Sequence, residues 1–527
     1  MQNLLKFFFL FLICSSSYII GNAQVKYQKL FDFPGDDYNS GNSIVQTFDS
    51  CFIIAGESGE GGGTNEKLSL VKTNFFGDTL WTIHYIASKA LVANSIRQTS
   101  DSCYILTGFV GDQQDYDVYL AKVSSLGDTI WTRTFGGINN DGSADVIQVT
   151  EGGYLLTGST TRIGEVRSDI LLIRTDSIGD TLWTKTFGGM DEEYSSTVRQ
   201  TSDSGYVICG ITSSFAQTKD IYLIRTNSNG DTLWTRTYGG TNYEGNSCLQ
   251  QTKDNGFIIS GYTLSFGSGD ADAYLIKTDA NGDTLWTRAY GGFFQDRADF
   301  VLETSDSGYI VVGQTNSFGV DDYDIYLFKT DSLGTLLWSW VFGGPGADAG
   351  TCVLQTFDLG YVLTGFASKF GAPIYDAFII KTDPNGITGC NESSAATITS
   401  RTQTLVSNPG AIISSGTNIT HTNLLSIERG SVDSTICSTI NVASLSISSI
   451  FEVYPNPASS SFTISNNEKI SGMDVFNILG EKLATVLPGA KGQKQEMIFD
   501  CRLFPNGIYF VKLQTENGSA VKKLIKQ

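Results

Sequence analysis

The chain has 527 residues, enough for two to four domains, and its 32 Phe, 23 Tyr and 7 Trp are ample to fill their cores. A formal charge of -19 excludes nucleic acid and anionic lipid as partners, because that affinity rests on Lys and Arg neutralising phosphates. Abundant Gly, sparse charge and short β-branched or aromatic apolar runs set the class as all-β.

Residues 1–23 read as an export signal: Lys6, the apolar run "FFFLFLIC", then Gly21-Asn22-Ala23 as a small-residue cleavage site, with the mature chain starting at Gln24. A lipid anchor at Cys14 is disfavoured by the bulky Ile13 before it. No later apolar run is long enough to span a bilayer.

Over 24–388 one unit repeats every 50 to 52 residues. Its turn glycines are Gly77, Gly127, Gly179, Gly230, Gly282 and Gly334, and its tryptophans Trp81, Trp131, Trp183, Trp234, Trp286 and Trp338 keep the same step. In one copy "STVRQT", "GYVICGIT", "DIYLIRT" and "DTLWTRTYG" are strands parted by turn residues, and four strands in this length is a propeller blade. "KYQKLFDFPG" near the start matches the last strand of the unit, while the array ends on a third strand, "YDAFIIKTDPNG". The expectation is a seven-bladed β-propeller whose N-terminal strand completes the final blade and removes two exposed edges.

Within "DTLWTRTYG" the alternation puts Trp234, Arg236 and Tyr238 on one face, and aromatics recurring in nearly every copy read as packing between blades. Turns such as "NSNGD" and "DANGD" open on an Asx residue and end on Gly, which is hairpin chemistry. Calcium is the only ion they raise, and they are too short and ligand-poor for an EF-hand pattern, so no cofactor is expected. The Asp-Thr-Leu tripeptides in these turns resemble a bacterial O-glycosylation acceptor, although the turn explains them without glycan.

With only His84 and His421 in the chain, catalysis through histidine is not expected. Two carboxylate sets recur, Asp117, Asp169, Asp220, Asp272, Asp324 and Asp376 before the third strand, and Asp141, Glu193, Glu244, Asp296 and Asp348 after the double Gly. They can bind cations or act as an acid/base pair on a glycoside, but their regular repetition favours capping of their own loops. Loops that break the repeat join the second and third strands, and any ligand is placed there, at Asp112, Asp115, Glu165, Arg167, Asp321 and Asp322. Most cysteines fall at repeat positions as core fillers, and Cys390 with Cys437 is the one pair considered for a disulfide.

Residues 389–446 turn to Ser, Thr, Asn and Ile and read as a linker or small β-segment. After it, 447–527 carries alternating strands and tight turns, the pattern of a small β-sandwich.

The repeats, with their "QTxDxGY" and "GDTLWTRTYGG" pieces, resemble the degenerate propeller repeats of secreted bacterial proteins and are similar in layout to quinoprotein-type blades. The tail resembles the C-terminal sorting domain of type IX secretion, on Tyr454-Pro455-Asn456-Pro457, "VFNILGEKL", Pro505-Asn506-Gly507-Ile508-Tyr509 and the closing Lys522 and Lys523 of "KKLIK". That resemblance implies recognition by the type IX machinery, passage across the outer membrane, and often removal of the tail with attachment to surface polysaccharide. The expected protein is a secreted or cell-surface binder of glycan or protein without enzymatic activity. The alternatives are a polysaccharide hydrolase using a loop carboxylate pair and a structural surface or matrix protein.

Overall fold

A computed structural model describes residues 25–526 apart from 34–35, 61–64, 113–114, 162–166, 321, 369–373, 391, 403–404, 408–411, 415–417, 421–425, 430–431, 441–451, 457, 466–469, 477–481, 487–495, 503, 505–506 and 516–517. All regular structure among the described residues is β. Two compact units divide the chain, one spanning Val25–Thr439 and the other holding Ile440–Gln527.

The larger unit is propeller-like. Its repeated element is an antiparallel sheet of four strands in sequence order, as in Glu193–Gln200, Tyr206–Thr212, Asp220–Thr226 and Thr232–Gly239. Alternation along each strand buries both faces, so each sheet must be covered by its neighbours. The innermost strands touch in an unbroken cycle, from Tyr38–Gln46 through Ala90–Gln98, Asp141–Gln148, Glu193–Gln200, Glu244–Gln251, Asp296–Glu303 and Asp348–Gln355 back to Tyr38–Gln46. Each carries a bulge at the same place, for example between Ser195 and Thr197 and between Ala298 and Phe300, which turns the strand near the axis.

Contacts between neighbouring sheets explain the repeated motif. Trp183, on an outer strand, packs on the turn of the next unit at Gly230, whose φ is 78°, and a Cβ there would lie 2.8 Å from the indole. The same indole meets Tyr206 with ring centroids 6.3 Å apart, and Lys185 reaches Asp231 of that turn at 2.9 Å. Trp131, Trp234, Trp286 and Trp338 make the corresponding aromatic contacts with Tyr154, Phe257, Tyr309 and Tyr361. Tyr238 and Tyr290 then donate their hydroxyls to the carbonyls of Gly282 and Gly334, both at 2.6 Å.

Nearer the axis, the Gln of "QT" accepts a backbone N–H from the preceding unit: Ser100 to Gln148 at 2.9 Å, Thr150 to Gln200 at 2.9 Å and Ser305 to Gln355 at 2.8 Å. The Asp of the same motif receives the third-strand cation, as in Lys277 to Asp254 at 2.8 Å and Lys381 to Asp358 at 3.0 Å. Every conserved-looking letter of the repeat thus holds a turn or a junction.

The N-terminal strand Val25–Asp32 pairs antiparallel with Tyr375–Thr382. Tyr27 takes the place of the tryptophan, since a Cβ on Gly77 would lie 2.5 Å from its ring, and Lys29 bonds Asp78 at 2.7 Å. This strand therefore supplies the outer edge that the C-terminal strands lack.

Of the two readings of residues 389–446, a linker or a small β-segment, the described residues follow the β one. Seven short strands of this segment pair with the outer strands in reverse order: Glu392–Ser394 on Leu336–Phe342, then Ile398–Arg401, Leu405–Ser407, Ile412–Ser414, Asn418–Thr420 and Ser426–Arg429 on the preceding sheets in turn, and finally Val432–Ile440 on Val25–Asp32. The segment is a belt that visits every sheet once and gives its exposed edge a partner. Cys390, at the start of the belt, is disulfide-bonded, while Cys51, Cys103, Cys209, Cys248, Cys352 and Cys501 are free thiols. Cys209, Cys248 and Cys352 are buried, but Cys51 and Cys103 are half-exposed in turns and do not fill the core. The side chain of Cys437 lies outside the described residues.

In the tail unit, Glu452–Tyr454, Ser461–Ser465 and Glu496–Asp500 form one sheet, and Lys482–Val486, Ile470–Phe476, Gly507–Thr515 and Gly518–Lys526 another. Phe462, Ile464, Met473, Val475, Tyr509, Val511, Leu513 and Leu524 share one core between them.

Two outcomes are expected from this architecture. Gly230→Ala forces a Cβ into Trp183 at an unfavourable φ and is expected to cost about 2–3 kcal/mol, against less than about 0.5 kcal/mol for Gly137→Ala, where a Cβ meets nothing within 4 Å; denaturant unfolding measures both. Non-reducing peptide mapping is expected to link Cys390 to Cys437, closing a loop of roughly fifty residues, and Cys437→Ser to cost about 4 kcal/mol.

Candidate functional site

The double-Gly loops and the loops between second and third strands meet on one face. Ser214, Ser265 and Ser317 accept backbone N–H bonds from Asp191, Asn242 and Phe294, at 2.8, 2.8 and 2.9 Å. Both loop types thereby adjoin where the innermost strands begin, opposite the ends of the second strands.

The loop residues singled out in the sequence are not brought together. Asp112 pairs with Lys89 at 3.1 Å and lies opposite Asp115 in its own hairpin. Arg167 donates to the Met190 carbonyl and pairs with Asp191 at 3.7 Å, while Asp322 accepts the Tyr323 N–H at 2.9 Å. Glu165 and Asp321 lie outside the described residues.

The repeated carboxylates hold their own loops. The N–H of Gly137, Gly189, Gly240, Gly292 and Gly344 bonds Asp141, Glu193, Glu244, Asp296 and Asp348 respectively, at 2.7–3.0 Å. The two sets also face each other across the first glycine of the pair: a Cβ on Gly136 would meet Asp117 and Asp141, and one on Gly291 would meet Asp272 and Asp296. Two carboxylates held this close in a buried place disfavour double ionisation. Burial, with Glu244 adding, pushes Asp220 up to about 7, and burial pushes Asp141, Asp272 and Asp348 up to about 6. No group of three or more His, Cys, Asp or Glu able to hold a metal occurs among the described residues.

Asymmetry appears nearer the axis. Where the innermost strand begins, Gly142, Tyr194, Gly245, Arg297 and Ala349 occupy one repeat position. Lys219, paired with Glu192 at 3.0 Å, stands 5.8 Å over the Tyr194 ring, and Arg297 stands 4.7 Å over Tyr262, itself stacked on Tyr243 at 5.7 Å and 22°. Tyr38, Phe366 and Tyr375 cluster in another sector, with Phe109 and Tyr116 in a third. Beside Tyr38, burial and Glu66 push Glu57 up to about 7. Deeper, Asp145 is held between Arg97 at 2.9 Å and Arg199 at 2.5 Å; burial opposes its charge, but the two guanidiniums hold its carboxyl below the usual range. Sequence reading passed over these residues because they stand inside repeated strands. The available signal was variation at a strand position flanked on both sides by repeating letters.

Other predicted positions resolve locally. His84 is buried against Ser69 at 2.8 Å and edge-on to Phe33 at 4.6 Å, and His421 lies outside the described residues. The hydroxyls of Thr79, Thr181 and Thr232 are buried, which denies that atom to a glycosylating enzyme acting on the folded chain. In the tail, Asn456 accepts the Ile525 N–H at 2.8 Å, and Gly507, Ile508 and Tyr509 begin a strand paired to the one holding Lys522 and Lys523; Pro457, Pro505 and Asn506 lie outside the described residues.

The carboxyl pairs give stability a pH sign. Their raised values mean that the folded chain binds more protons than the unfolded chain between the ordinary carboxylate range and about pH 7, so this contribution is full at acid pH and lost as pH rises. Asp49, Asp101, Asp254 and Asp306, held below the usual range by Thr and Lys hydrogen bonds that outweigh burial, lose their contribution only at still lower pH. Thermal unfolding is expected to peak near pH 5 and to drop by several degrees by pH 8, with Asp220→Asn flattening the decline. A Tm that climbs from pH 5 to 8 contradicts shared protons.

Residues 452–527 match the family model described as the secretion system C-terminal sorting domain. No curated protein matches the chain. Among solved structures, Sqt1 from Chaetomium thermophilum is similar at 10% identity and TM-score 0.39, over 65% of this chain and 82% of that one. A eukaryotic initiation factor is similar at 8% identity and TM-score 0.32, over 73% of this chain and 98% of that one. At these scores neither likeness bears on function. No helix among the described residues is long and apolar enough to cross a membrane. The matched tail directs this chain through the type IX secretion system to the cell surface or the extracellular space.

Proposed function

We propose that the chain is an exported, non-catalytic binding protein, a closed seven-bladed propeller whose loop-bearing face takes up an extracellular glycan. Residues 1–23 serve as its export signal, and its tail, a β-sandwich, is read by the secretion machinery. The cycle of innermost strands and the N-terminal strand on Tyr375–Thr382 support the closed ring. One shared core under the two tail sheets supports the sandwich.

One observation carries the binding function. The ring repeats where it packs and departs from repetition at the channel mouth, where tyrosines and phenylalanines with part-exposed rings replace one another from unit to unit. Aromatic faces at a concave entrance suit the C–H faces of pyranose rings. The repeated carboxylates are engaged in their loops, which argues against their service in catalysis.

Glu57 favours the second reading, a polysaccharide hydrolase, because a carboxyl raised to about 7 beside a second carboxylate is the pattern of a general acid. A polysaccharide panel distinguishes the two. Binding without release of reducing ends is expected, whereas release that Glu57→Gln abolishes establishes the hydrolase. Deleting 447–527 is expected to leave the protein in the periplasm, and secretion of the truncated chain contradicts the role given to the tail.

A further inference from the structure

We infer that the channel mouth holds an anion subsite at Arg297, so that the glycan recognised is an acidic one, bearing carboxylate groups on its sugar rings. This rests on the glycan-binding reading and narrows it.

Arg297 stands on the innermost strand Asp296–Glu303, opposite Gln314. Its guanidinium carbon is 4.7 Å from the centroid of Tyr262, across the boundary between two sheets. Tyr262 can lie there because Gly245 faces it across the strand pair, where a Cβ would collide with the ring. Tyr243 stacks on Tyr262 at 5.7 Å. A guanidinium on a tyrosine that is itself stacked on a second is thus built by three neighbouring elements, each departing from what the other units carry at that position.

What sets Arg297 apart is that no acceptor among the described residues meets its guanidinium within hydrogen-bond reach. Its Nε is buried without a hydrogen-bond acceptor, and among the described residues it forms no other hydrogen bond and no ion pair. The contrast is with other arginines of the larger unit. Arg97 and Arg199 share Asp145, Arg225 is bound by Asp203, and Arg288 donates to the carbonyls of Thr287 and Leu333. Asp299, two residues along the strand, feels the Arg297 charge, which opposes the burial that pushes its carboxyl up to about 6, but it lies beyond ion-pair distance and takes a hydrogen bond from Ser247 at 3.4 Å.

A half-buried guanidinium has already lost part of its hydration, so an acceptor at its open edge recovers more than it would at a solvated arginine. Its two Nη groups form the planar fork that carboxylate oxygens accept from in pairs. Tyr262 lies against that fork, and Tyr243 stacks on Tyr262. A uronate unit presents both features required, a carboxylate on one carbon and an apolar ring face. The overall charge of -19 adds a repulsive background, which makes recognition depend on this local pair of contacts and sensitive to salt.

Affinity electrophoresis of the full secreted chain tests the assignment, with polygalacturonate, its fully methyl-esterified form and poly-L-glutamate as probes. Polygalacturonate is expected to retard the protein, the ester to do so at least about 10-fold more weakly, and Arg297→Met to remove that difference. Because Arg297 makes, among the described residues, only the ring contact with Tyr262 and a through-space interaction with Asp299, Arg297→Met is expected to lower Tm far less than Arg199→Met, which strips Asp145 of an ion-pair partner. Tyr243→Phe keeps binding and Tyr243→Ala weakens it. Equal retardation by acid and ester, or an unchanged Arg297→Met, overturns the anion subsite while leaving glycan binding intact. Equal binding of poly-L-glutamate overturns the sugar and makes the partner an acidic peptide. Retardation by no polysaccharide removes the glycan reading and this subsite together.

Discussion

The contact between an outer-strand indole and the turn glycine of the next unit is what the ring depends on. A sheet of four strands cannot bury both faces alone, and its only cover is its neighbour. The indole requires a turn without a Cβ, the turn requires a residue tolerant of positive φ, and Gly230 answers both needs at once. Nearly every unit therefore repeats the same Asx, Gly and Trp, with Ser124 taking the Asx part in the turn of Gly127. At the junction that joins the two chain ends no tryptophan is available, and Tyr27 fills its place beside Gly77 with Lys29 on Asp78. A single large ring thus closes a circuit whose partners are far apart in sequence, and the entropy of that closure is met by local packing rather than by new chemistry.

The belt completes the same logic from outside. With the ring closed, the outer strand of each sheet still shows a row of unpaired backbone groups. Strands as short as Leu405–Ser407 and Ile412–Ser414 cover them through main-chain hydrogen bonds. Such pairing asks little of side chains, which is why a Ser/Thr-rich stretch with no strong alternation reads as a linker. The repeat was legible because its function in the fold is carried by side chains at fixed spacing. The belt was not, because its function is carried by the backbone. The same distinction separates the tail, where Asn456 and the Gly507–Thr515 strand follow ordered motifs, from the segment before it.

For the candidate site the legible part was the face, not the residues. Loop positions such as Asp112 and Arg167 satisfy themselves within their hairpins or with an adjacent loop. Arg297 and Tyr262 lie in strands that repeat elsewhere, and a repeated strand invites a structural reading for every letter in it. The carboxylates show when that reading is right. They recur because each loop needs an acceptor for the N–H after its double glycine, and two of them meet only because neighbouring loops converge there.

Two kinds of buried charge then remain to be told apart. Asp145 between Arg97 and Arg199 is compensated inside the protein: removing any member leaves a charge without its counter-ion, so the set fastens three neighbouring innermost strands. Arg297 has the Tyr262 ring and the through-space charge of Asp299, but no hydrogen bond or ion pair among the described residues. A chain that carries almost twenty more acidic than basic residues does not lack carboxylates to set beside a guanidinium; among the described residues it pairs Arg97, Arg133, Arg167, Arg199, Arg225 and Arg236 with one, and gives Arg174 and Arg288 backbone carbonyls. Leaving Arg297 open at the channel mouth costs desolvation that the Tyr262 ring and the distant charge of Asp299 offset only in part. The remainder has to come from a partner outside the chain, and the rest of the ring is rigid enough to hold the guanidinium in place for it.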